Sequence, residues 1–452
     1  MDREAGLRDS PGMKHVGWLV VLAACGSSGD AGDDAGGGVD AGPTVPTLLT
    51  PRTGITADQL GVLVNDADPL SVQIATYYAE ARGIPAANIV HLTLPTATAD
   101  AITEAEFTPL SAQVTAALAA TDVQALAITW TKPYRVGNTS ITSAFAYGYK
   151  AIANTCTDPN SMYAGQNPYN AMRASTAPFT DAGFRPAMTL PATTFEEAKA
   201  LIDRGIAADD TWPTGSAYMM STSDQTRSAR CVVNAMYGYQ NECQKAIDAW
   251  DSEASGIAAS IVMANSVMGK TDVMFYVQGL ASVPDLATNT YLPGAVADHL
   301  TSYGGQIPTS GQMSAIEFLR AGATGSYGTT VEPCAYTQKF PNPKFLMPAY
   351  FGGATLIEAY WKSVEWPAEG IFIGEPLARP FGSGFRTTLA GSTLTVETTV
   401  MVPNVPYLIE AADAEAGPYT LVQGDLRVPK SQRATFTIEG ATRAFYRFRA
   451  QM

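Results

Sequence analysis

Two residues in the second half of the chain have the types and the order that nucleophilic catalysis requires. His299 precedes Cys334, and a histidine beside a cysteine lowers the pKa of the thiol and produces the reactive thiolate. Such a dyad would make the chain a cysteine-type hydrolase. A disulfide bond at Cys334 would consume the thiol and exclude this chemistry.

The chain contains five cysteines. Without Cys25, which belongs to the N-terminal segment, an even number remains, as expected for disulfides in an oxidising compartment. Cys231 and Cys243 are the natural local pair, which leaves Cys156 to pair with Cys334. The alternative is four unpaired cysteines, since spacing alone does not determine connectivity.

Acidic residues follow several predicted strands and would gather at one edge of a parallel sheet. Proteins with α/β folds bind ligands at the carboxyl ends of their strands, so these side chains are candidates for a ligand site. The alternative is that they cap helices or lie in loops. The residues are Asp66, Asp68, Asp224, Asp298 and Glu332.

Cofactors and charged polymers have little support in the sequence. No group of His, Cys and Asp residues has the spacing of a metal site, so we expect no metal ion and no other cofactor. Gly269-Lys270-Thr271 resembles the end of a phosphate-binding loop, but Ala264 occupies the place of its first glycine. The formal net charge of −14 disfavours nucleic acids and anionic membrane surfaces as partners.

The N-terminus has the features of a lipoprotein signal peptide, residues 1–25, with Met13 as an alternative start. An apolar run from Val16 to Leu22 is too short to span a bilayer, and Leu22-Ala-Ala-Cys25-Gly26 resembles the lipobox of bacterial lipoproteins. The resemblance implies that Cys25 carries lipid and anchors the chain to the cell envelope, in a leaflet that the sequence does not identify. The alternative is a chance apolar run with a buried cysteine.

Residues 26–46 are rich in Gly, Ala and Asp and predict a disordered tether. Residues 47–381 alternate apolar strands, such as Leu60 to Asn65, with amphipathic helices. This pattern predicts an α/β fold with a mostly parallel sheet and helices on both faces. Residues 133–186 interrupt the pattern and are interpreted as a long insertion, whereas Arg227 to Trp250 has helical character.

The stretch from Gly322 to Pro380 is predicted to form the centre of the sheet. Its first and last segments, Gly322 to Gly328 and Gly370 to Gly374, have the small and apolar residues of buried strands. A helical pair lies between them, and together they predict a parallel crossover unit. From residue 383 to 452, short alternating runs separated by Pro, Gly and Asp predict a small accessory β-sandwich.

The order of these motifs resembles the C-terminal half of gingipain-type, caspase-like cysteine peptidases, and within them a group of bacterial secreted proteins. The resemblance is carried by Gln278-Gly279, by Leu292 to Gly305, by the glycine-rich strand Gly322 to Gly328 and by Ile371 to Pro380. It covers about Leu60 to Pro380. It implies a caspase-like sheet in which one strand ends in His-Gly and the next ends in the nucleophilic cysteine.

The chain departs from this pattern at both catalytic positions. Gln278-Gly279 stands where the family has His-Gly, and Ala297, Asp298 and His299 stand where the family has its nucleophile. The first cysteine or serine after them is Ser302. We therefore expect the catalytic dyad to be lost.

Three functions remain open. The first is a non-catalytic lipoprotein that binds a peptide, a glycan or a partner protein through Gln278, Gly279, Asp298, His299, Ser302 and Glu332. The second is an extracytoplasmic peptidase with displaced catalytic residues, and the third is a structural lipoprotein of the envelope. An aromatic pocket at the sheet edge would favour the first, and a Cys or Ser beside His299 would favour the second. A featureless edge would favour the third.

Overall fold

The computed structural model describes residues 46–152, 156, 166–232, 241–334 and 336–451. The predicted signal peptide with Cys25, and all of the predicted tether except Pro46, lie outside these residues. Within them, no helix combines the length and the apolar character that crossing a bilayer requires.

A ten-stranded mixed sheet forms the centre of an α/β structure. Neighbouring strands are parallel throughout, except for one antiparallel pair in the middle. In spatial order, and numbered along the chain, the strands are Ile257–Val262 (β10), Gly215–Met220 (β9), Val273–Gln278 (β11), Tyr291–His299 (β12), Gly325–Thr329 (β13), Gly370–Gly374 (β14), Ala187–Thr189 (β8), Ala125–Ile128 (β5), Leu60–Asn65 (β2) and Ile89–Leu92 (β3).

The parallel crossover predicted for Gly322 to Pro380 is wrong, because β13 and β14 are the antiparallel pair. Thr329, the last residue of β13, lies opposite Gly370, the first residue of β14. The two helices between these strands therefore return the chain to the edge that it left. As a result, the carboxyl ends of β9 to β13 share one edge of the sheet with the amino ends of β14, β8, β5 and β2.

The glycines of this central pair are required for its close packing. A Cβ atom at Gly370 would lie 1.7 Å from the Tyr327 hydroxyl oxygen, and one at Gly328 would lie 2.3 Å from the backbone of Gly304. Both distances are far below van der Waals contact, so no larger residue fits without moving its neighbours.

Helices and short turns connect the strands. Asp68 caps the first helix by accepting a hydrogen bond from the Leu70 amide, and Thr355 and Glu358 form the predicted capping box of the last. Of the helix predicted over residues 227–250, the described part contains only Glu242–Asp248. The helices are Pro69–Arg82 (α1), Glu104–Ala117 (α2), Ile141–Tyr147 (α3), Pro168–Ala171 (α4), Pro178–Ala182 (α5), Phe195–Ala208 (α6), Glu242–Asp248 (α7), Ser252–Ser255 (α8), Ile316–Ala321 (α9), Pro343–Phe351 (α10) and Leu356–Ser363 (α11), with 3₁₀ turns at Ala57–Gln59, Ala86–Asn88, Leu286–Thr288 and Thr337–Lys339.

The described part of the predicted insertion, residues 133–186, contains three short helices, α3, α4 and α5, and two short strands. These strands, Arg135–Val136 (β6) and Thr139–Ser140 (β7), form a small sheet with Ala101–Ile102 (β4). Both predicted disulfides are present, Cys156 with Cys334 and Cys231 with Cys243. The first of them ties the insertion to the loop after β13.

The C-terminal segment forms two small sheets that share one apolar core, which includes Val396, Ile409 and Phe448. Thr47–Leu49, predicted to begin the α/β segment, instead pairs with the last strand of this segment. One sheet contains Phe385–Ala390 (β15), Thr393–Thr398 (β16) and Ala434–Ile438 (β19), and the other contains Thr47–Leu49 (β1), Phe445–Ala450 (β20), Tyr407–Ala412 (β17) and Thr420–Leu426 (β18).

Candidate functional site

Most of the candidate residues lie at the edge where β9, β11, β12 and β13 end. Gln278 and His299 are the last residues of β11 and β12 and are directly paired across the two strands. Gly279 and Ser302 follow these strands, and Glu332 follows β13. The sheet therefore brings most of the candidate residues to one edge, and Asp66 and Asp68 are the exceptions.

The His299 imidazole is completely buried. Its Nδ1 lies 2.9 Å from the carbonyl oxygen of Leu280, and because a carbonyl only accepts, Nδ1 carries the proton. Nε2 has no hydrogen-bond partner among the described residues and faces Gly304, where a Cβ atom would lie 2.7 Å away. Burial lowers the pKa of His299 to about 4, so the ring is neutral at physiological pH.

No nucleophile accompanies this histidine in the described part of the chain. The sulfur of Cys334 is bonded to Cys156, so a dyad of His299 and Cys334 is wrong for this structure. Ser302 contributes its backbone carbonyl, which accepts a hydrogen bond from the Thr329 hydroxyl at 3.0 Å. The ring of His299 instead packs edge to face against Phe318.

Asp298 forms a buried ion pair with Arg230, a residue that the sequence did not single out. Arg230 Nη1 lies 2.6 Å from Asp298 Oδ1, and both side chains are 1% exposed. The guanidinium also donates to the carbonyls of Gln278 and Pro341, at 2.8 and 2.9 Å. Burial raises the pKa of Asp298 and Arg230 opposes that shift. Arg230 therefore connects β11, β12 and a loop from inside the core, and Asp298 balances its charge.

Gln278 is fully engaged in packing at the position where the resemblance implies a catalytic histidine. Its amide nitrogen donates to the Asn265 carbonyl at 2.9 Å and to the Tyr276 hydroxyl at 2.8 Å, and its oxygen accepts from the Gly279 amide at 3.1 Å. A Cβ atom at Gly279 would lie 2.3 Å from the carbonyl oxygen of Arg227. The Gln278 side chain therefore contributes to the packing of this edge.

The five acidic candidates do not converge. Asp66 and Asp68 follow β2 and lie at the opposite edge of the sheet, because of the antiparallel step between β13 and β14. Asp66 contacts His91 Nδ1 at 2.6 Å in an exposed pair. At the first edge, Asp224 pairs with Arg227 at 2.6 Å, and Glu332 accepts a hydrogen bond from the Cys334 amide at 2.8 Å.

One group of metal-ligand types occurs among the described residues, formed by Cys156, Glu332 and Cys334. Both of its sulfurs belong to the disulfide and are not available as thiolates. This group therefore does not fit a metal ion.

A cleft of about 670 Å³ opens at the amino ends of β5 and β8, on the same edge of the sheet. We call it the aromatic cleft, since four of the residues that line it are Phe145, Tyr147, Phe179 and Phe184. The helices α2, α3 and α5 form its walls, so most of it is built from the insertion. Sequence patterns do not reveal it, because its rings come from separate segments of a region without regular periodicity.

Two cations line the aromatic cleft, and its described lining residues include no Asp or Glu. The Arg185 guanidinium lies 3.3 Å from the centre of the Phe179 ring, and its Nε donates to the Val123 carbonyl at 2.9 Å. The side chain is buried at 7% exposure, and burial lowers the pKa of Arg185. Lys150 is exposed at the rim. Among the described residues, neither cation has a carboxylate partner.

Comparisons with known proteins give one similarity in fold. No protein-family model and no curated protein matches the chain. A solved structure described as "Structure of Protease" aligns with 88% of this chain and 98% of its own, with a TM-score of 0.43 and 9% sequence identity.

Proposed function

We propose that this protein is a membrane-anchored, non-catalytic member of the caspase-like group that binds a peptide in the aromatic cleft. The observation that carries the proposal is the state of His299, whose imidazole is buried and neutral and has no nucleophile beside it. The cleft on the same edge supplies an open surface for a ligand.

A general base acts through a hydrogen bond of about 2.6–3.2 Å to the group that loses its proton. The free nitrogen of His299 faces the backbone at Gly304, at a distance that excludes even an added methyl group. A substrate would reach this nitrogen only if the loop after β12 moved away. The His299 imidazole is therefore placed to pack β12 and not to transfer a proton.

The aromatic cleft has the size and composition of a ligand site. Pockets of about 300–1,000 Å³ with aromatic walls and a few polar groups are typical of such sites. The disulfide between Cys156 and Cys334 anchors the insertion that builds the cleft, which limits the entropy lost when a ligand binds.

We further propose that lipid on Cys25 holds the protein at the bacterial cell envelope. The support is the lipobox-like sequence that ends at Cys25 and the Gly/Ala/Asp-rich segment that follows it. Labelling cells with a radioactive fatty acid would mark the wild-type protein and leave a Cys25→Ser variant unlabelled. Equal labelling of both would exclude lipid at this residue.

The binding proposal is tested by filling the cleft with a larger side chain. Thr115 is exposed on α2 and lines the cleft, whereas Ala117 is exposed on the same helix and lies outside it. We expect Thr115→Trp to reduce the retention of a mixed peptide pool on the immobilised protein. Ala117→Trp is the matched control and should retain the pool as the wild type does. Equal retention by all three proteins would contradict the proposed site.

A further inference from the structure

We infer that the aromatic cleft recognises a carboxylate that stands next to an aromatic ring. This inference rests on the proposed function, because it names the chemistry of the ligand that the same cleft would hold. It is drawn from the charges of the cleft and from the geometry of Arg185.

The charge of the cleft is opposite to that of the protein. The chain carries 42 acidic and 28 basic residues, yet the described lining of the cleft includes two cations and no acid. A local positive field within an acidic protein attracts anions and repels cations. The ligand is therefore expected to carry a negative charge.

Arg185 is held in the orientation that a carboxylate requires. Stacking on Phe179 fixes the plane of the guanidinium, and the bond from Nε to the Val123 carbonyl fixes its rotation within that plane. The two terminal nitrogens of Arg185 make no hydrogen bond among the described residues. Both lie in the plane of the guanidinium that stacks on Phe179. Two parallel N–H donors of this kind match the two oxygens of a carboxylate.

The remaining lining explains the preference for an aromatic neighbour. Tyr147 is partly exposed and Phe179 is 36% exposed, so their rings offer surface against which a further ring can pack, whereas Phe145 and Phe184 are buried in the wall of the cleft. Lys150 at the rim adds a second positive charge, and its Nζ lies 5.8 Å from the centre of the Tyr147 ring. Two sources supply this chemistry, a free aromatic acid and the C-terminus of a peptide that ends in an aromatic residue.

The inference is tested by titration calorimetry with probes that differ only in charge. N-acetyl-phenylalanine is compared with its neutral amide, and a hexapeptide that ends in phenylalanine is compared with its amidated form. We expect each acid to bind about tenfold more tightly than its amide, as a charge-assisted pair implies. Tighter binding of the peptide acid supports a peptide terminus as the source. Tighter binding of the small acid supports a free acid and would contradict a peptide as the ligand of the cleft.

Variants of the two cations assign the effect to the cleft. Lys150→Gln changes an exposed side chain and should weaken the acids severalfold, and Arg185→Lys should remove most of their advantage over the amides. Arg173 is the matched control, since its guanidinium also stacks on a ring, Phe345 at 3.8 Å, outside the cleft. Arg173→Gln should leave both acids unaffected.

The results that overturn the inference are distinct from those that overturn the proposed function. If acids and amides bind equally and Thr115→Trp blocks both, the cleft binds ligands but does not recognise charge, so only the inference is wrong. If none of the four probes binds, the inference is again wrong. If Thr115→Trp also fails to reduce retention of the peptide pool, the proposed function is wrong too.

Discussion

Acidification is expected to destabilise the protein through His299. The pKa of this residue is about 4 in the folded state and near 6.5 when exposed, so between these values the unfolded chain binds a proton that the folded chain does not. Stability from the neutral ring is therefore fully present above about pH 6.5 and is lost as the pH falls toward 4. The whole shift corresponds to about 3 kcal/mol, at 1.36 kcal/mol for each pKa unit.

The assay is chemical denaturation of the wild type and of His299→Gln at pH 7.5, 5.5 and 4.5. Relative to the variant, the wild type should lose about 1 kcal/mol by pH 5.5 and about 2–3 kcal/mol by pH 4.5. The neighbouring residue Asp298 has a raised pKa, which changes stability with pH in the opposite direction. Because Asp298 is present in both proteins, its contribution cancels in the comparison. Parallel pH dependences of the two proteins would refute the reasoning.

Three further predictions concern the core and the disulfides. Arg230→Met should cost about 3–5 kcal/mol of unfolding free energy because it leaves Asp298 buried without a partner, and adding Asp298→Asn should restore part of it in denaturant titrations. Replacing Cys156 and Cys334 with serine should cost about 4 kcal/mol, since the bond closes a long loop, whereas an unchanged midpoint would show that it does not constrain the unfolded chain. Gly370→Ala should lower the melting temperature strongly, because its methyl group would collide with a tyrosine hydroxyl, and a wild-type melting curve would contradict the packing described here.

Local sequence patterns predicted the strands of the sheet well where burial is continuous. Leu60–Asn65 and Val273–Gln278 are entirely buried, and an apolar run of that length indicates such a strand directly. The two disulfide pairs also follow from the sequence, because one close pair leaves only one other pairing.

Strand direction and side-chain partners depend on tertiary contacts that no local pattern contains. The antiparallel step between β13 and β14 is set by where two intervening helices return the chain, and it moves Asp66 away from the other acidic candidates. Arg230 meets Asp298 only because their segments cross in the core. The aromatic cleft likewise requires rings from α3 and α5 to line the same cavity.

The measurement that tests the central claim most directly is an inventory of a peptide pool by mass spectrometry after incubation with the protein. The pool should be recovered intact, with peptides that end in an aromatic residue and a free carboxylate enriched on the protein. Fragments that appear with the wild type and disappear with His299→Gln would contradict the claim, because they would require the buried imidazole to act as a catalytic base.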